Sequence, residues 1–524
     1  MLAVLVRNKA RTRNGLIYIL FIILMVFTIR NKTNLYVDEV YSYGLANHTD
    51  GMFMQIEDGK TYYPSNTPWI SYMAVSADSR FDYANVWENQ AQDVHPPLYY
   101  VILHTICSLF PGSVSKWFAG LVNILFALGT LYVLRKLVMV LVQDETIQAA
   151  VSIGFVCCAG ILSAVSFLRM YIVAMFWVTA LSYMFTRQIG ERHTAKFYVM
   201  LMLCTLGGAL THYYCIVYAV FASIVYGIYL LYQKRLKETG FFCLVQGVAG
   251  GLSVCIFPAM FHHIFSSARG EQSAQNMGNA SLADWVTRVK NYFGLLDGQL
   301  FGGIFIYIAI AALIFLLVRG VHGLKQFDRE RHDEKEIEAM RWICLAVPVV
   351  LYFILISKIA VYLSDRYMFP VYAVLFVAIC CGTACWIKHV AEKLYIYAIV
   401  IMVAVMSVNS WRDTDWTYLF LPSAQLLEQA LAYGDVDCVY VYNKPWETNP
   451  AYYEASEYHS ITFFTADDLE MLEEADIASR YQLIVMVTDD DENVLGKIQE
   501  ICPALTMCEH LGGYGYTNTY YLHT

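Results

Sequence analysis

Asn34-Leu35-Tyr36-Val37-Asp38-Glu39-Val40-Tyr41-Ser42-Tyr43 follows directly on an apolar run, Leu16 to Ile29, and sets two carboxylates within a few residues of its end. Acidic groups at that depth sit at a membrane surface, wet enough to ionise and close enough to meet a lipid headgroup. The stretch opens a polar and aromatic segment, residues 30–97, that closes on His95-Pro96-Pro97 before the next apolar run. It is too long for a simple connection and too aromatic for a disordered one, with Tyr36, Tyr41, Tyr43, Tyr62, Tyr63, Trp69, Tyr72 and Trp87. Short interfacial helices that wall a site are expected within it.

Working outward, the 524 residues are 58% hydrophobic and only 15% charged, with a mean hydropathy of +0.46. That composition specifies a polytopic α-helical membrane protein. The net charge of −9 is unevenly spread. Residues 411–524 hold 20 Asp or Glu against 4 Lys or Arg, whereas residues 1–410 hold 24 against 31. The acidic tail repels nucleic acid and reads as a separate aqueous domain. Arg7, Lys9, Arg11 and Arg13 precede the first apolar run and no small-residue cleavage site follows it, so an uncleaved span with a cytoplasmic N terminus is expected. None of the 14 cysteines forms a metal-ligand pattern, and Cys157-Cys158 and Cys380-Cys381 lie in apolar runs as small hydrophobes.

Further apolar segments at 98–110, 117–134, 149–166, 170–186, 197–213, 215–232 and 241–262 lead to a polar interval, 263–300, expected outside with the loop 30–97. Two external loops require an even number of crossings, so one of the seven does not span alone: the segment from Leu98 is short for a full crossing, and 197–232 can be divided differently. Spans at 301–318, 341–357, 367–387 and 393–408, with a charged cytoplasmic loop at 319–340, return residues 411–524 to the outside. There, Val436–Tyr442, Gln482–Thr488 and Tyr514–Leu522 read as strands, and Leu426–Tyr433, Ala466–Arg480 and Asn493–Cys502 as helices, a small α/β domain. Asp489-Asp490-Asp491-Glu492 reads as a solvated turn or helix start, lacking the spaced ligands of a Ca²⁺ loop.

Asp38 is the first candidate for chemistry, as a base for an attacking hydroxyl, its pKa raised by partial burial or by Glu39. The alternative is an acidic pair that only marks the end of a span. Pro96 and Pro97 force extended backbone ahead of a helix and hold His95 at the membrane entrance, to bind phosphate, to relay a proton, or simply to sit at a helix start. Arg169-Met170-Tyr171, His212-Tyr213-Tyr214 and Asp365-Arg366-Tyr367 interrupt apolar sequence, where such charges mark sites unless they snorkel. Arg366 is the best anion ligand, its planar donors suiting phosphate, with Lys358 as an assistant. Tyr62, Tyr99 and Tyr100 read as stacking surfaces or interfacial anchors.

Taken in order, Tyr36-Val37-Asp38-Glu39, His95-Pro96-Pro97-Leu98-Tyr99-Tyr100, Arg169-Met170-Tyr171, Thr211-His212-Tyr213-Tyr214 and Asp365-Arg366-Tyr367 with Pro370 resemble the polytopic glycosyltransferases of the GT-C fold. The resemblance extends especially to bacterial members related to protein O-mannosyltransferases and to the aminoarabinose transferase of lipid A. The resemblance implies a GT-C type transmembrane core, residues 1–410, and an external acidic α/β domain, residues 411–524. It implies inverting transfer of a sugar from a polyprenyl-phosphate donor at the outer face of the cell membrane to a cell-envelope glycan, lipid or protein. Asp38 matches the catalytic acidic position, with Glu39 beside it, and His95 and Arg366 match donor-phosphate contacts. Asp93 is a second carboxylate by position only, and Arg169, Tyr171, His212 and Tyr367 are supporting positions. No metal is required, although Asp38 and Glu39 could recruit a divalent cation. The C-terminal tyrosines, including Tyr440, Tyr442, Tyr452, Tyr453, Tyr514 and Tyr516, either stack on acceptor sugars or pack the domain. A flippase or transporter of lipid-linked saccharide and a noncatalytic envelope scaffold remain the rivals.

Overall fold

A computed structural model of the chain describes residues 2–279, 281–308, 310, 332–474 and 479–524. The helices are α1 (Leu2–Arg30), α2 (Val37–Asn47), α3 (Pro68–Met73), α4 (Tyr83–Gln92), α5 (Leu98–Cys107), α6 (Lys116–Leu141), α7 (Glu145–Cys157), α8 (Ala159–Ser166), α9 (Tyr171–Gln188), α10 (Ala195–Ala209), α11 (Tyr213–Tyr232), α12 (Leu236–Ile256), α13 (Ala259–Phe265), α14 (Ala268–Asn279), α15 (Leu282–Leu296), α16 (His332–Ile359), α17 (Tyr372–Val390), α18 (Tyr395–Asp413), α19 (Ala424–Ala432), α20 (Tyr452–Ala455) and α21 (Asp491–Ile501). Among the described residues, seven stretches are long and apolar enough to cross a membrane: Thr12–Arg30, α6, α11, α12, Lys335–Ile359, Phe369–Val390 and α18. The chain is thus a multi-pass membrane protein with a helical core. The expected span 301–318 and the connection 319–340 lie mostly outside the described residues.

The segment 149–166, expected to be one span, is broken: α7 and α8 meet at 46°. Cys158 is extended between them, with its Sγ 3.3 Å from the carbonyl oxygen of Gln299. A Cβ on Gly160 would come within 2.9 Å of that same oxygen, so only glycine lets the two backbones approach. The segment from Leu98 forms a ten-residue helix, about 15 Å long and too short to cross alone. Helix α9 lies at the centre, packed on α6, α10 and α16, and is buried on most of its surface.

Residues 30–97 fold into α2, α3 and α4, as their aromatic content foretold, and they also enter the C-terminal sheet. That six-stranded sheet has the order β1-β3-β2-β4-β6-β5, with β1 (Thr61–Tyr62), β2 (Asp437–Tyr442), β3 (Ser460–Thr465), β4 (Gln482–Val487), β5 (Met507–Tyr514) and β6 (Thr517–His523). The central strands β3, β2 and β4 are parallel, which fits the apolar runs of β2 and β4, and the edges are antiparallel. Strands β3 and β5 went unread because Ser460–Thr465 mixes small polar with aromatic residues, and Gly512 and Gly513 dilute β5. The expected helix Ala466–Arg480 is instead a 3₁₀ turn, Ala466–Glu474, in its described part. Trp69 of α3, fully buried, packs against Tyr440, Tyr452 and Phe463, while Asp58 accepts hydrogen bonds from Tyr442 Oη (2.8 Å) and Thr465 Oγ1 (2.9 Å). The loop after the first span and the C-terminal sheet are therefore packed as one layer.

Candidate active site

The chain leaves α1 and enters α2 through a buried clamp. Glu39 accepts hydrogen bonds from the backbone N–H of Tyr36 and of Leu168, each at 2.7 Å, and lies 2.8 Å from Lys32 Nζ with both side chains fully buried. Lys32 also donates to the Tyr418 carbonyl (2.5 Å) and sits over the Phe420 ring at 4.4 Å. Burial pushes Glu39 up and Lys32 down to about 8, each opposed by the other's charge. Glu39 thus fixes the start of α2 and does not line the cavity that its neighbour faces, which separates it from Asp38 in role.

Asp38 stands in the first turn of α2, where helix N–H groups favour an anion. It lines a cavity of about 730 Å³ together with Asp93, His95, Arg169, Tyr171, His212, Arg366 and Tyr367. Its Oδ2 is paired with Arg366, and Arg169 donates to its backbone carbonyl. Among the described residues its Oδ1 takes no hydrogen bond. Burial raises the Asp38 pKa, but Arg169, Arg366 and His95 outweigh it and hold the carboxyl below its ordinary value. The raised pKa expected from Glu39 is therefore overturned: Glu39 is neutralised by Lys32, and two guanidiniums face Asp38 instead.

Arg366 is delivered by a 3₁₀ turn, Asp365–Tyr367, between α16 and α17. Asp365 anchors that turn by accepting from Gln299 (2.8 Å) and Tyr418 Oη (2.6 Å). The guanidinium lies 5.3 Å from the Tyr367 ring centre, and its Nε is buried without a partner among the described residues, as is that of Arg169. His95 extends the cluster: Nδ1 is 2.6 Å from Asp93 Oδ2, and Nε2 is 3.4 Å from Arg169. An ionised Asp93 accepts only, so Nδ1 carries its proton. Burial raises Asp93, yet His95 and the Val94 amide outweigh it and hold Asp93 below its usual range. His212 caps α11, accepting from the Tyr214 amide at 3.1 Å, with its ring 5.2 Å from Tyr171 and 6.2 Å from His95. Burial, then the charges of His95, Arg169 and Arg366, push His212 well down, which keeps it neutral.

Four expected residues lie elsewhere. Lys358 stacks 5.6 Å from the Trp285 ring and does not line the cavity, because the end of α16 turns it toward α15. Tyr99 and Tyr100 are fully buried, edge to face at 5.6 Å, as core rather than as a stacking surface or anchor. Tyr62 is likewise buried, against Phe463. Conversely, sequence reading missed His263, which bonds Tyr213 Oη at 2.7 Å, and Arg269, which donates to Tyr362 Oη at 2.7 Å. Both line the same cavity; polarity on helices of the interval 263–300 was their only signal.

Away from Asp38 the cavity wall turns apolar, through Ile216, Val217, Val220 and Phe221 of α11 and Leu355 and Ile359 of α16. Such a site can hold an anion at one end and a hydrocarbon chain along the other. Among the described residues no group of three or more His, Cys, Asp or Glu is arranged to hold a metal ion.

No family model and no curated protein matches the sequence. Among solved structures, ArnT from Cupriavidus metallidurans bound to undecaprenyl phosphate superposes with a TM-score of 0.53 over 97% of both chains at 11% identity. The oligosaccharyltransferase AglB from Archaeoglobus fulgidus, in complex with an inhibitory peptide and a dolichol-phosphate, gives a TM-score of 0.42 over 93% of this chain and 71% of its own at 9% identity. The chain has a GT-C-like fold: a polytopic helical core carrying a C-terminal sheet domain.

Proposed function

We propose that the protein is a membrane glycosyltransferase that moves a sugar from a polyprenyl-phosphate donor to a cell-envelope acceptor at the external face of the cell membrane. The observation that carries this reading is the cavity that joins an Asp38–Arg366–Arg169–His95 end to an apolar wall on α11 and α16. The undecaprenyl phosphate bound in the similarly folded ArnT structure supports a lipid phosphate as the ligand class. In this reading the N terminus is cytoplasmic and residues 411–524 are external.

The acceptor oxygen attacks the sugar C1 as the bond from C1 to the donor phosphate oxygen breaks, and the acceptor proton passes to the Asp38 carboxylate. Polyprenyl phosphate leaves with one more negative charge than it had as a diester, and Arg366, Arg169 and His95 stabilise it. In-line attack inverts C1. Cationic side chains supply the charge that a divalent ion would otherwise provide, so the reading needs no metal.

The test is transfer from a panel of radiolabelled polyprenyl-phosphate sugars, in membranes holding wild type or Asp38→Asn at matched levels. Capture of label by an acceptor with wild type, persistence in EDTA, and a fall of about 10²–10⁴ for the variant are expected. Equal turnover by the variant removes Asp38 from the mechanism. No turnover, with translocation of lipid-linked saccharide in vesicles, makes the protein a flippase.

A further inference from the structure

The catalytic cavity does not end at Asp38. Tyr41 and Phe53, which line it, also line a second, small cavity of about 80 Å³, closed on its other side by Pro445, Trp446 and Asn449 of the C-terminal domain. Trp446 meets Tyr516 edge to face at 5.0 Å. Tyr516, at the tip of the β5–β6 hairpin and half exposed, lines a third cavity of about 560 Å³ with Tyr514, Thr488 and Asn518. The first two cavities thus share Tyr41 and Phe53 as a common wall, and the contact of Trp446 with Tyr516 sets the hairpin cavity beside the second.

Three independent features of these cavities describe their occupant. The small cavity is walled mainly by aromatic rings, Tyr41, Phe53, Tyr72 and Trp446, and the hairpin cavity by polar groups with Tyr514 and Tyr516, flat faces and hydrogen-bonding edges of the kinds a sugar ring meets. Asn449, 1% exposed, lines the small cavity with a buried Oδ1 that has no hydrogen-bond partner among the described residues. A buried acceptor left unpaired costs about 1–3 kcal/mol, and a hydroxyl donor entering the cavity would satisfy it. The charge selects further: residues 411–524 carry 20 Asp or Glu against 4 Lys or Arg, a surface that repels polyanions such as phosphodiester polymers.

Resting on the transferase reading, we infer that the acceptor is a neutral saccharide chain, bound by the C-terminal domain across Trp446 and Tyr516 so that its terminal hydroxyl meets Asp38. Trp446 and Tyr516 are specificity-determining residues in this assignment and take no part in the bond changes.

Saturation-transfer NMR on the full-length protein in detergent tests it, with cellohexaose, chitohexaose and mannohexaose as neutral probes, hexagalacturonate as the anionic one and undecaprenyl phosphate in parallel. At least one neutral hexasaccharide is expected to bind wild type and to weaken on the order of tenfold in both Trp446→Ala and Tyr516→Ala. Binding of undecaprenyl phosphate is expected to be unchanged in both variants. Tyr516 lies on an exposed hairpin tip, so its variant keeps the test open if Trp446→Ala misfolds. The inference is overturned if no neutral saccharide binds, if only hexagalacturonate binds, or if binding is indifferent to both substitutions. Saccharide binding lost in the variants supports the cleft whether or not undecaprenyl phosphate binds; absence of the latter overturns the donor reading alone.

Discussion

Asp38 and Glu39 are neighbours in sequence and opposites in consequence, and Glu39→Gln isolates the difference. The substitution keeps the side-chain shape but leaves the fully buried Lys32 ammonium, 2.8 Å away, without its counter-ion. It also leaves one of two backbone donors, Tyr36 N–H or Leu168 N–H, with an amide nitrogen where each had a carboxylate oxygen at 2.7 Å. Removing one partner of a buried pair costs about 3–5 kcal/mol, and one orphaned buried amide accounts for about 1–3 kcal/mol. Adding Lys32→Met removes the unpaired charge, so the double variant is expected to recover the charge contribution but neither the amide contribution nor the hydrogen bond from Lys32 to the Tyr418 carbonyl. Thermal melting in detergent, followed by tryptophan fluorescence, measures the ordering: wild type highest, Lys32→Met/Glu39→Gln between, Glu39→Gln lowest. A Glu39→Gln protein that melts with wild type, or a double variant no better than the single, refutes the clamp.

Arg366→Lys keeps the charge but loses the planar fork, and is expected to lower kcat/KM by about tenfold or more with little change in melting, whereas indifference in transfer assays would remove Arg366 from phosphate binding. In the C-terminal domain, Glu454 is buried and accepts from Thr519 (2.7 Å) and Tyr458 (3.3 Å), and burial pushes its pKa up from 4.5 to about 6. A raised acid favours the fold while protonated, so its stabilising contribution is complete below pH 4.5 and lost as pH rises through 6, by about 2 kcal/mol. Glu454→Gln is expected to remove that step from the pH dependence of melting, a comparison with wild type at pH 4.5 and 7 being sufficient.

The fold class was legible because apolar runs and their basic flanks obey bilayer thickness, and the acidic tail announced a different solvent. The break at Cys158 was not, since nothing local marks it; the groups that bond the chain there, Gln299, Ser410 and Trp411, lie far away in sequence. Asp38, Asp93, His95, Arg169, Tyr171, His212, Arg366 and Tyr367 could be read as a set because a charge beside apolar sequence is costly enough to need a reason. Lys358 looked equivalent to Arg366 by that logic, but which face of a helix end a residue occupies is decided by tertiary packing, here against Trp285. The same limit hid the role of Tyr62, which pairs with Ile461 across nearly the whole chain.

The depressed pKa of Asp38 bears directly on its proposed use as a base. In the free protein Arg366 and Arg169 stabilise the carboxylate, so it is ionised throughout the neutral range but binds a proton weakly. Both guanidiniums line the cavity, and among the described residues each keeps a buried Nε without a hydrogen-bond partner. When a donor phosphate engages them, its negative charge competes for the same cations and adds repulsion, and both effects raise the Asp38 pKa. The carboxylate thus becomes a better base only in the complex that contains the sugar to be transferred, which discourages activation of water in its absence. The signature is kinetic: the acid limb of kcat, which reports the donor-bound state, should lie at higher pH than the acid limb of kcat/KM, which reports the free protein. The limb of kcat/KM assigned to Asp38 should lie below its ordinary 3.8, and coincident limbs would mean that the phosphate does not meet these arginines.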